Sequence, residues 1–341
     1  MKTLPANDHQ RKRERECKGE RQRRALTVAC LMAALCVPSL AAEAWPTKPL
    51  RIIVGYASGS SPDVQARLLA EPLARALGQS VVVENRPGAG GNIGADAIAK
   101  ADDGHTIGLI GNGPLTSSPF LYPKLPYQPA TDFAPIALIG SAPLVWVTAK
   151  SPSERSVAAA ISQLQSEGDK SAYGSVGAGS GGHLGMELIK QALKIQPLHV
   201  PFNGGPAILN AILGGQVQMA LLPTSTVYPL LQAGKLEALA VSSAKRSPLA
   251  PTLPSMEEIG AKGVNIEVWN AVMAPARMPA AHQAQLSQAL EQILTAREMR
   301  QKLFLQGWRI DDVSAKGLAL RIQQDTRAYR EIIERNHIKI D

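Results

Sequence analysis

From residue 45 onward, short apolar runs alternate along the chain with segments in which apolar residues recur at the period of a helix. Short apolar runs rich in Val, Ile, Leu and Ala predict ten strands, at 50–56, 80–84, 106–111, 136–140, 144–149, 172–176, 198–202, 217–222, 236–242 and 267–274. Their near-continuous apolar character is typical of strands covered on both faces, as in a parallel sheet. Segments of helical period separate most of them, so the pattern predicts an α/β fold.

The predicted helices are marked by apolar stripes. The stripes are Val64, Leu68, Leu73, Ala76 and Leu77; then Leu184, Leu188, Ala192 and Leu193; then residues 207–213; and, in the last helix, Leu318, Ile322, Tyr329 and Ile333. Pro62 suits the first position of the first helix, and Ser60 or Ser61 can cap it. After about residue 279 the alternation stops and only helices are predicted.

Ten strands are more than one small sheet holds comfortably. The stretch 136–149, interrupted by Ser141, Ala142 and Pro143, predicts a crossing from one sheet to another, and residues 266–274 predict the return. Lobe one then comprises 45–142 and 266–341, and lobe two comprises 143–265. Two crossings form a hinge, and a hinge implies a ligand cleft.

The first 44 residues have the features of a secretory signal peptide. Arg21, Arg23 and Arg24 precede an apolar run at 25–37, and small residues around Ala44 offer an A-x-A-like cleavage site. Cleavage after Ala41 or Ala42 is an alternative. The apolar run is shorter than the roughly 20 residues that a membrane span needs. We therefore predict export to the periplasm.

Charge and cysteine content narrow the function further. Residues 1–44 contain nine of the 36 Lys and Arg and five of the 28 Asp and Glu, which leaves 27 against 23, a scattered net charge of +4. This pattern disfavours nucleic acid binding. All three cysteines lie in the leader, so the mature chain contains no thiol nucleophile, no cysteine-ligated metal site and no disulfide.

Five loops rich in glycine, serine or threonine follow predicted strands. They lie at 55–63, 111–114, 177–183, 202–206 and 223–226. Loops at the carboxyl ends of strands surround the ligand crevice in open α/β sheets, and the N-termini of the helices that follow favour an anion. Asn112 and Thr224 are candidate ligand contacts in two of these loops.

Motifs for other chemistry are absent from the sequence. The segment 88–94 places Ile93 where a G-x-G-x-x-G fingerprint requires glycine, no phosphate loop occurs, and the histidines show no metal-ligand spacing. No G-x-S-x-G elbow occurs either. We therefore expect no cofactor, no metal and no enzyme activity.

Several segments closely resemble the Bug receptors, the solute-binding proteins of tripartite tricarboxylate transporters. The most specific is ENRPGAGGNIG at 84–94; others are WPTKPLRIIV at 45–54, DFAPI at 132–136, HVPF at 199–202, GGQV at 214–217, AGKLEALAV at 233–241 and SAKRS at 243–247. The resemblance implies a type II periplasmic-binding-protein fold, with two lobes that close on a carboxylate held by backbone N–H groups, hydroxyls and ordered waters.

The resemblance also implies the ligand contacts. They are Tyr56, Ala57, Ser58, Gly59 and Asp63 from the first loop, Ser180, Gly181, Gly182 and His183 from the third, and Asn203 and Gly204 from the fourth. Asp63 can instead support the first helical turn, and His183 can be a satisfied buried histidine. Many family members have an acidic residue where this chain has Leu222, which disfavours an amino-acid ligand.

Three functional hypotheses follow. The first is a monomeric periplasmic receptor that delivers a small carboxylate to integral-membrane transporter subunits. The second is a ligand sensor that presents its loaded form to a sensor kinase of a two-component system. The third is an exported α/β hydrolase using Ser58 or Ser180 with His183, for which the sequence offers no orienting carboxylate.

Overall fold

The computed structural model describes residues 45–151 and 156–340, so the predicted leader and its cleavage site lie outside the described residues. The described chain contains nine strands, with bounds close to those predicted. They are β1 (Leu50–Val54), β2 (Val81–Asn85), β3 (Thr106–Gly111), β4 (Phe133–Ala149), β5 (Ala172–Ser175), β6 (Leu198–Pro201), β7 (Met219–Pro223), β8 (Leu236–Val241) and β9 (Glu267–Pro275).

Twelve α-helices accompany these strands in the described part. They are α1 (Ser61–Leu77), α2 (Asn92–Ala99), α3 (Asn112–Thr116), α4 (Ser118–Leu121), α5 (Pro129–Asp132), α6 (Val157–Glu167), α7 (Gly181–Leu193), α8 (Gly205–Leu213), α9 (Thr224–Gln232), α10 (Ala280–Thr295), α11 (Arg297–Leu305) and α12 (Ala315–Arg335). Short 3₁₀ turns occur at Ala89–Gly91 and Gly168–Lys170. No helix among residues 45–151 and 156–340 combines the length and apolar character needed to cross a bilayer.

The strands form two sheets that share β4. In the first sheet, β1 pairs in parallel with β2 and β3, while β9 is antiparallel to both β3 and β4. In the second sheet, β4 is antiparallel to β7 and β8, and β5 is parallel to β6 and β7. The strand order is β2-β1-β3-β9-β4-β7-β5-β6, with β8 on β4 as well.

The prediction of two strands separated at 141–143 is wrong, because β4 is one continuous strand of 17 residues. Residues Phe133 to Pro143 pair with β9, and Leu144 onward pair with β7 and β8. Pro143 has no N–H to donate to a ladder, and it lies where β4 changes partners. The interruption seen in the sequence marks this change of sheet without ending the strand.

The apolar stripe predicted for α1 is only partly correct. Leu73 is buried, but Val64 is 38 % exposed, and the buried apolar face consists of Ala66, Leu69 and Leu73. These positions share one helix face at spacings of three and four residues. The polar residues Asp63 and Gln65 are also buried. The buried face of α1 therefore includes two polar residues, and it is rotated by one residue from the face that the hydrophobic pattern predicts, so that Leu69 is buried in place of Leu68.

The central strands of both sheets are covered on both faces, as predicted, whereas the edge strands β2 and β6 are partly exposed. Every residue of β3 is buried. In the second sheet, Trp146 packs in one cluster with Leu184 and Leu221, while Val145 and Val147 pack in another with Ile208. Neighbouring residues of β4 thus contact cores on opposite sides, as the two-residue period of a strand requires.

The helix face of α1 can be tested by two adjacent substitutions. We expect Leu69→Ala to lower the free energy of unfolding by about 2–5 kcal/mol, because Leu69 is fully buried and leaves a cavity. Leu68→Ala is the matched control; Leu68 is only half-buried, so its loss should be clearly smaller. Chemical denaturation measures both, and a larger loss for Leu68→Ala would contradict the face described here.

Candidate functional site

A cavity lies where the five predicted loops converge. Each loop contributes to its wall, and further residues come from β4, β7, β9 and the segment after α11. The lining comprises Tyr56, Ser60, Ser61, Pro62, Gly111, Asn112, Gly113, Leu144, Val176, Ser180, Gly181, Gly182, Gly205, Leu221, Leu222, Pro223, Thr226, Val268, Asn270 and Trp308. The convergence follows from the topology, because β1, β3, β5 and β7 direct their carboxyl ends to this cavity.

No charged side chain is present in this lining. The walls combine aliphatic side chains, among them Leu144, Val176, Leu222 and Val268, with uncharged hydrogen-bonding groups. The cost of desolvating an ion bound here would be offset by dipoles and hydrogen bonds, because the lining contains no side chain of opposite charge.

In three helices of nine or more residues, the first residue itself lines the cavity. They are α1 at Ser61, α7 at Gly181 and α8 at Gly205. The first backbone N–H groups of a helix have no intrahelical acceptor and carry partial positive charge. The start of α7 approaches β7 so closely that a Cβ on Gly182 would lie 2.7 Å from the Leu221 carbonyl oxygen. A side chain at position 182 would therefore force this wall apart.

Two buried polar atoms of the lining have no hydrogen-bond partner. They are Ser60 Oγ and Trp308 Nε1, on residues that are 3 % and 1 % exposed. Ser60 occupies the N-cap position of α1, but its side chain makes no capping hydrogen bond, so the prediction that Ser60 or Ser61 caps this helix is not met by Ser60. Buried polar groups are nearly always hydrogen-bonded in native proteins, which makes both atoms candidates for ligand contact.

Only one of the contacts predicted in the first loop lines the cavity. Tyr56 does, and its hydroxyl donates a hydrogen bond to the Gly90 carbonyl oxygen at 3.0 Å. Ala57, Ser58 and Gly59 lie outside the lining; the Ala57 N–H donates to the Asn203 carbonyl oxygen at 3.1 Å and so joins the first loop to the fourth.

Asp63 also lies outside the lining, where its carboxylate stabilises the loop. It accepts hydrogen bonds from the Gly59 N–H at 2.9 Å and the Asn85 amide at 2.8 Å, and it forms an ion pair with Arg67. Burial alone would raise the pKa of Asp63, but the hydrogen bonds from Arg67, Gly59 and Asn85 lower it. These contacts agree with the alternative prediction for Asp63, in which it supports the first turn of the helix and does not contact the ligand.

The third loop places three of its four predicted contacts in the lining. Ser180, Gly181 and Gly182 line the cavity, and Ser180 Oγ caps α7 by accepting the His183 N–H at 3.3 Å. His183 is buried outside the lining, with Nδ1 accepting the Gly179 N–H at 3.2 Å. Its ring lies 4.3 Å from that of His199. Burial, and secondarily the proximity of His199, lowers the pKa of His183 to about 4.

Of the four remaining predicted contacts, one lines the cavity and three do not. Asn112 lines the cavity, and its amide donates to the Tyr329 hydroxyl at 2.8 Å. Asn203, Gly204 and Thr224 belong to loops that reach the cavity, but other residues of those loops, Gly205, Pro223 and Thr226, form the lining.

Sequence reasoning missed the lining residues that are remote from the loops. Val268 and Asn270 come from β9, and Trp308 follows α11. The Asn270 amide donates to Gln65 Oε1 at 2.8 Å, which fixes it beside α1. No local pattern distinguishes these positions from ordinary strand and turn residues. Among the residues that the structure describes, no cluster of three His, Cys, Asp or Glu is placed to bind a metal ion.

The lowered pKa of His183 predicts a pH dependence of stability. The unfolded chain takes up a proton near pH 6.5, whereas folded His183 takes one up only near pH 4, so stability is lost as pH falls through this window. Over the whole window, the free energy of unfolding falls by about 3 kcal/mol. We expect His183→Gln to remove this part of the slope in denaturant unfolding between pH 7.5 and 4.5. His337→Gln, at an exposed histidine, is the control; equal slopes for His183→Gln and the wild type would contradict the prediction.

Comparison with known proteins places this chain in a family. The family model described as tripartite tricarboxylate transporter family receptor matches residues 65–338. The Bordetella pertussis protein BugT is 38 % identical over 246 residues, which are 71 % of this chain and 75 % of BugT.

Solved structures show the same fold. Rpa4515 of Rhodopseudomonas palustris with adipate has a TM-score of 0.83 at 31 % identity, covering 86 % of this chain and 99 % of that one. The periplasmic binding protein BugD has 0.81 at 29 %, covering 86 % and 99 %. MatC of R. palustris with bound malate has 0.79 at 29 %, covering 85 % and 100 %. These similarities confirm the predicted α/β fold of the periplasmic-binding-protein type, and the chain belongs to the tripartite tricarboxylate transporter receptor family.

Proposed function

We propose that this protein is a periplasmic receptor that captures a small carboxylic acid in the cavity described above. The observation that carries the proposal is a cavity without charged side chains into which three helix N-termini and an unpartnered serine hydroxyl converge. Its structural relatives with adipate and malate hold dicarboxylic acids, and they share this fold along nearly their whole length.

We place the cavity between two lobes, 45–142 with 266–341 and 143–265. Two observations support this division: β4 changes partners between Pro143 and Leu144, and β9 returns to the first sheet at Glu267. Backbone and side-chain hydrogen bonds join the two proposed lobes. They run from the Ala57 N–H to the Asn203 carbonyl, from Ser117 Oγ to the Gly179 carbonyl at 2.6 Å, and from the Tyr122 hydroxyl to the Ala178 carbonyl at 3.1 Å. Such contacts are those expected of a closed receptor.

Several interactions together must bind the acid. A helix N-terminus stabilises an anion by about 0.3–1 kcal/mol, and by about 2 kcal/mol at most. A micromolar affinity requires about 8 kcal/mol. Three helix termini therefore fall short, and direct hydrogen bonds, from Ser60 Oγ among others, together with burial of the apolar part of the ligand against Leu144, Val176 and Val268, supply the remainder.

Transport is the role that the family match favours. The proposed partners are the integral-membrane subunits of a transporter, which would receive the acid from the closed receptor. A hydrolase role gains no support from the site, since Ser180 Oγ is engaged in capping α7 and His183 Nδ1 accepts a backbone N–H. Export rests on the basic and apolar segments of residues 21–44.

The first test is a ligand screen on protein expressed with its own leader and purified from the periplasmic fraction. We expect a carboxylic acid at 100 times its dissociation constant to stabilise the protein by about 2.7 kcal/mol, seen as a rise in melting temperature and as one bound equivalent in calorimetry. Intact mass should show cleavage near Ala44. A response to neutral sugars with none to carboxylic acids would refute the proposal.

The second prediction concerns the neutral lining. Aspartate and glutamate should bind at least about 100-fold more weakly than succinate and glutarate, because burying an ammonium group without a carboxylate partner costs several kcal/mol. Leu222 lines the cavity at the position where, according to the family resemblance, many members have an acidic residue. Calorimetry compares aspartate with succinate and glutamate with glutarate. If the two acids of either pair bind with equal affinity, a negatively charged group of the protein must contact the ammonium group, and the prediction is wrong.

The third prediction separates two serines of the same loop. Ser60→Ala should weaken acid binding about 10- to 100-fold, because it removes a hydrogen bond to a charged group. Ser58→Ala is the matched control: Ser58 is exposed and lies outside the lining, so its loss should change the affinity by less than about twofold. The reverse order of effects would favour the contact that the family resemblance implies for Ser58.

A further inference from the structure

Trp308 is the one aromatic residue that the C-terminal third of the described chain contributes to the cavity. It follows Gly307, which lies two residues beyond the last residue of α11, and it is 1 % exposed. Its backbone is fixed on both sides: the Trp308 N–H donates to the Leu303 carbonyl at 2.9 Å, and Arg309 exchanges two backbone hydrogen bonds with Ser141 of β4, at 2.7 and 2.8 Å. The backbone at Trp308 is therefore held against the shared strand.

The Trp308 indole N–H has no acceptor within the described protein. Indole nitrogen is a donor only, and a buried donor without a partner is unfavourable. Trp269 shows how the same chain satisfies such a group elsewhere, since its Nε1 donates to the Asp325 carboxylate. Trp146 is the useful contrast: its Nε1 is also unpartnered, but it lies in the apolar core with Leu184 and Leu221 and does not line the cavity.

Trp308 lines the cavity, and an acid bound there would offer its indole N–H an acceptor. The proposed ligand is an acid whose oxygens seek donors, and the cavity wall offers few side-chain donors that are not already engaged: Asn112 donates to Tyr329, Asn270 donates to Gln65 and Tyr56 donates to Gly90. The Trp308 ring also adds a broad apolar surface to the aliphatic wall formed by Leu144 and Val268.

We propose that Trp308 is a specificity-determining residue of this receptor: its indole N–H donates a hydrogen bond to an oxygen of the bound acid, and its ring packs against the apolar body of that acid. The proposal rests on the function proposed above. It selects acids that combine a carboxylate with an apolar chain or ring over small, fully hydrophilic acids, because only the former contact the ring.

The test compares Trp308→Phe with Trp146→Phe. Both substitutions replace a buried indole that has an unpartnered N–H with a smaller apolar ring, but only Trp308 lines the cavity. For the tightest acid found with the wild type, we expect calorimetry to show a loss of about 10- to 100-fold in affinity for Trp308→Phe, the equivalent of one hydrogen bond to a charged group. Trp146→Phe should bind within about twofold of the wild type.

A measurement on the wild type keeps the inference testable should Trp308→Phe fold poorly. In protein labelled with ¹⁵N at the indole nitrogens, the Trp308 N–H resonance should move downfield on addition of the acid, because it gains a charged acceptor, while the Trp146 resonance stays in place. The Trp45, Trp146 and Trp269 resonances are each assigned by their loss in the corresponding Trp→Phe variant, which leaves the fourth indole resonance to Trp308.

The outcomes separate this inference from the function on which it rests. If the wild type binds no carboxylic acid, the proposed function fails. If the wild type binds an acid and Trp308→Phe binds it equally well, or the Trp308 resonance does not move, the function stands and the role of Trp308 is refuted.

Discussion

The architecture depends on a single strand that belongs to two sheets. Where β4 passes Pro143, its ladder to β9 ends and its ladders to β7 and β8 begin. Ser242 secures this point: its Oγ accepts the Leu144 N–H at 2.7 Å and donates to the Ile266 carbonyl at 2.6 Å, so one hydroxyl joins the two segments that run between the sheets. Its backbone also pairs with both segments, at 2.8 Å each. Because these backbone groups are hydrogen-bonded, β4 passes from one sheet to the other without an irregular segment.

The position of the cavity follows from this junction. Sharing β4 directs the carboxyl ends of β1 and β3 toward those of β5 and β7, so the helices that follow these strands begin at a common space. Backbone N–H groups then provide positive potential where no lysine or arginine is present in the lining. This arrangement suits reversible capture, because fixed dipoles stabilise an anion without the large desolvation penalty of burying a side-chain ion pair.

Residues that look catalytic have structural roles in this fold. Asp63 holds the first loop through Gly59, Asn85 and Arg67, and His183 is buried against His199 with a lowered pKa. Conversely, the residues with unsatisfied donors at the cavity, Ser60 and Trp308, attract little attention as sequence. Chemical character by itself is thus a poor guide to which residues of a loop line the cavity.

The sequence alone determined the α/β class, the strand and loop positions and the resemblance to a receptor family, because local periodicity and glycine-rich turns are written in adjacent residues. It did not determine that residues 133–149 form one strand, since an interruption at Pro143 reads the same whether a strand ends or changes partners. Nor did it show that Leu69 and not Leu68 is the buried leucine of α1, because buried Asp63 and Gln65 shift the face by contacts with Asn85 and Asn270. The lining residues Asn270 and Trp308 were decided only by tertiary structure, since they reach the cavity through strand pairing with segments more than 100 residues away, and no local pattern encodes such a contact.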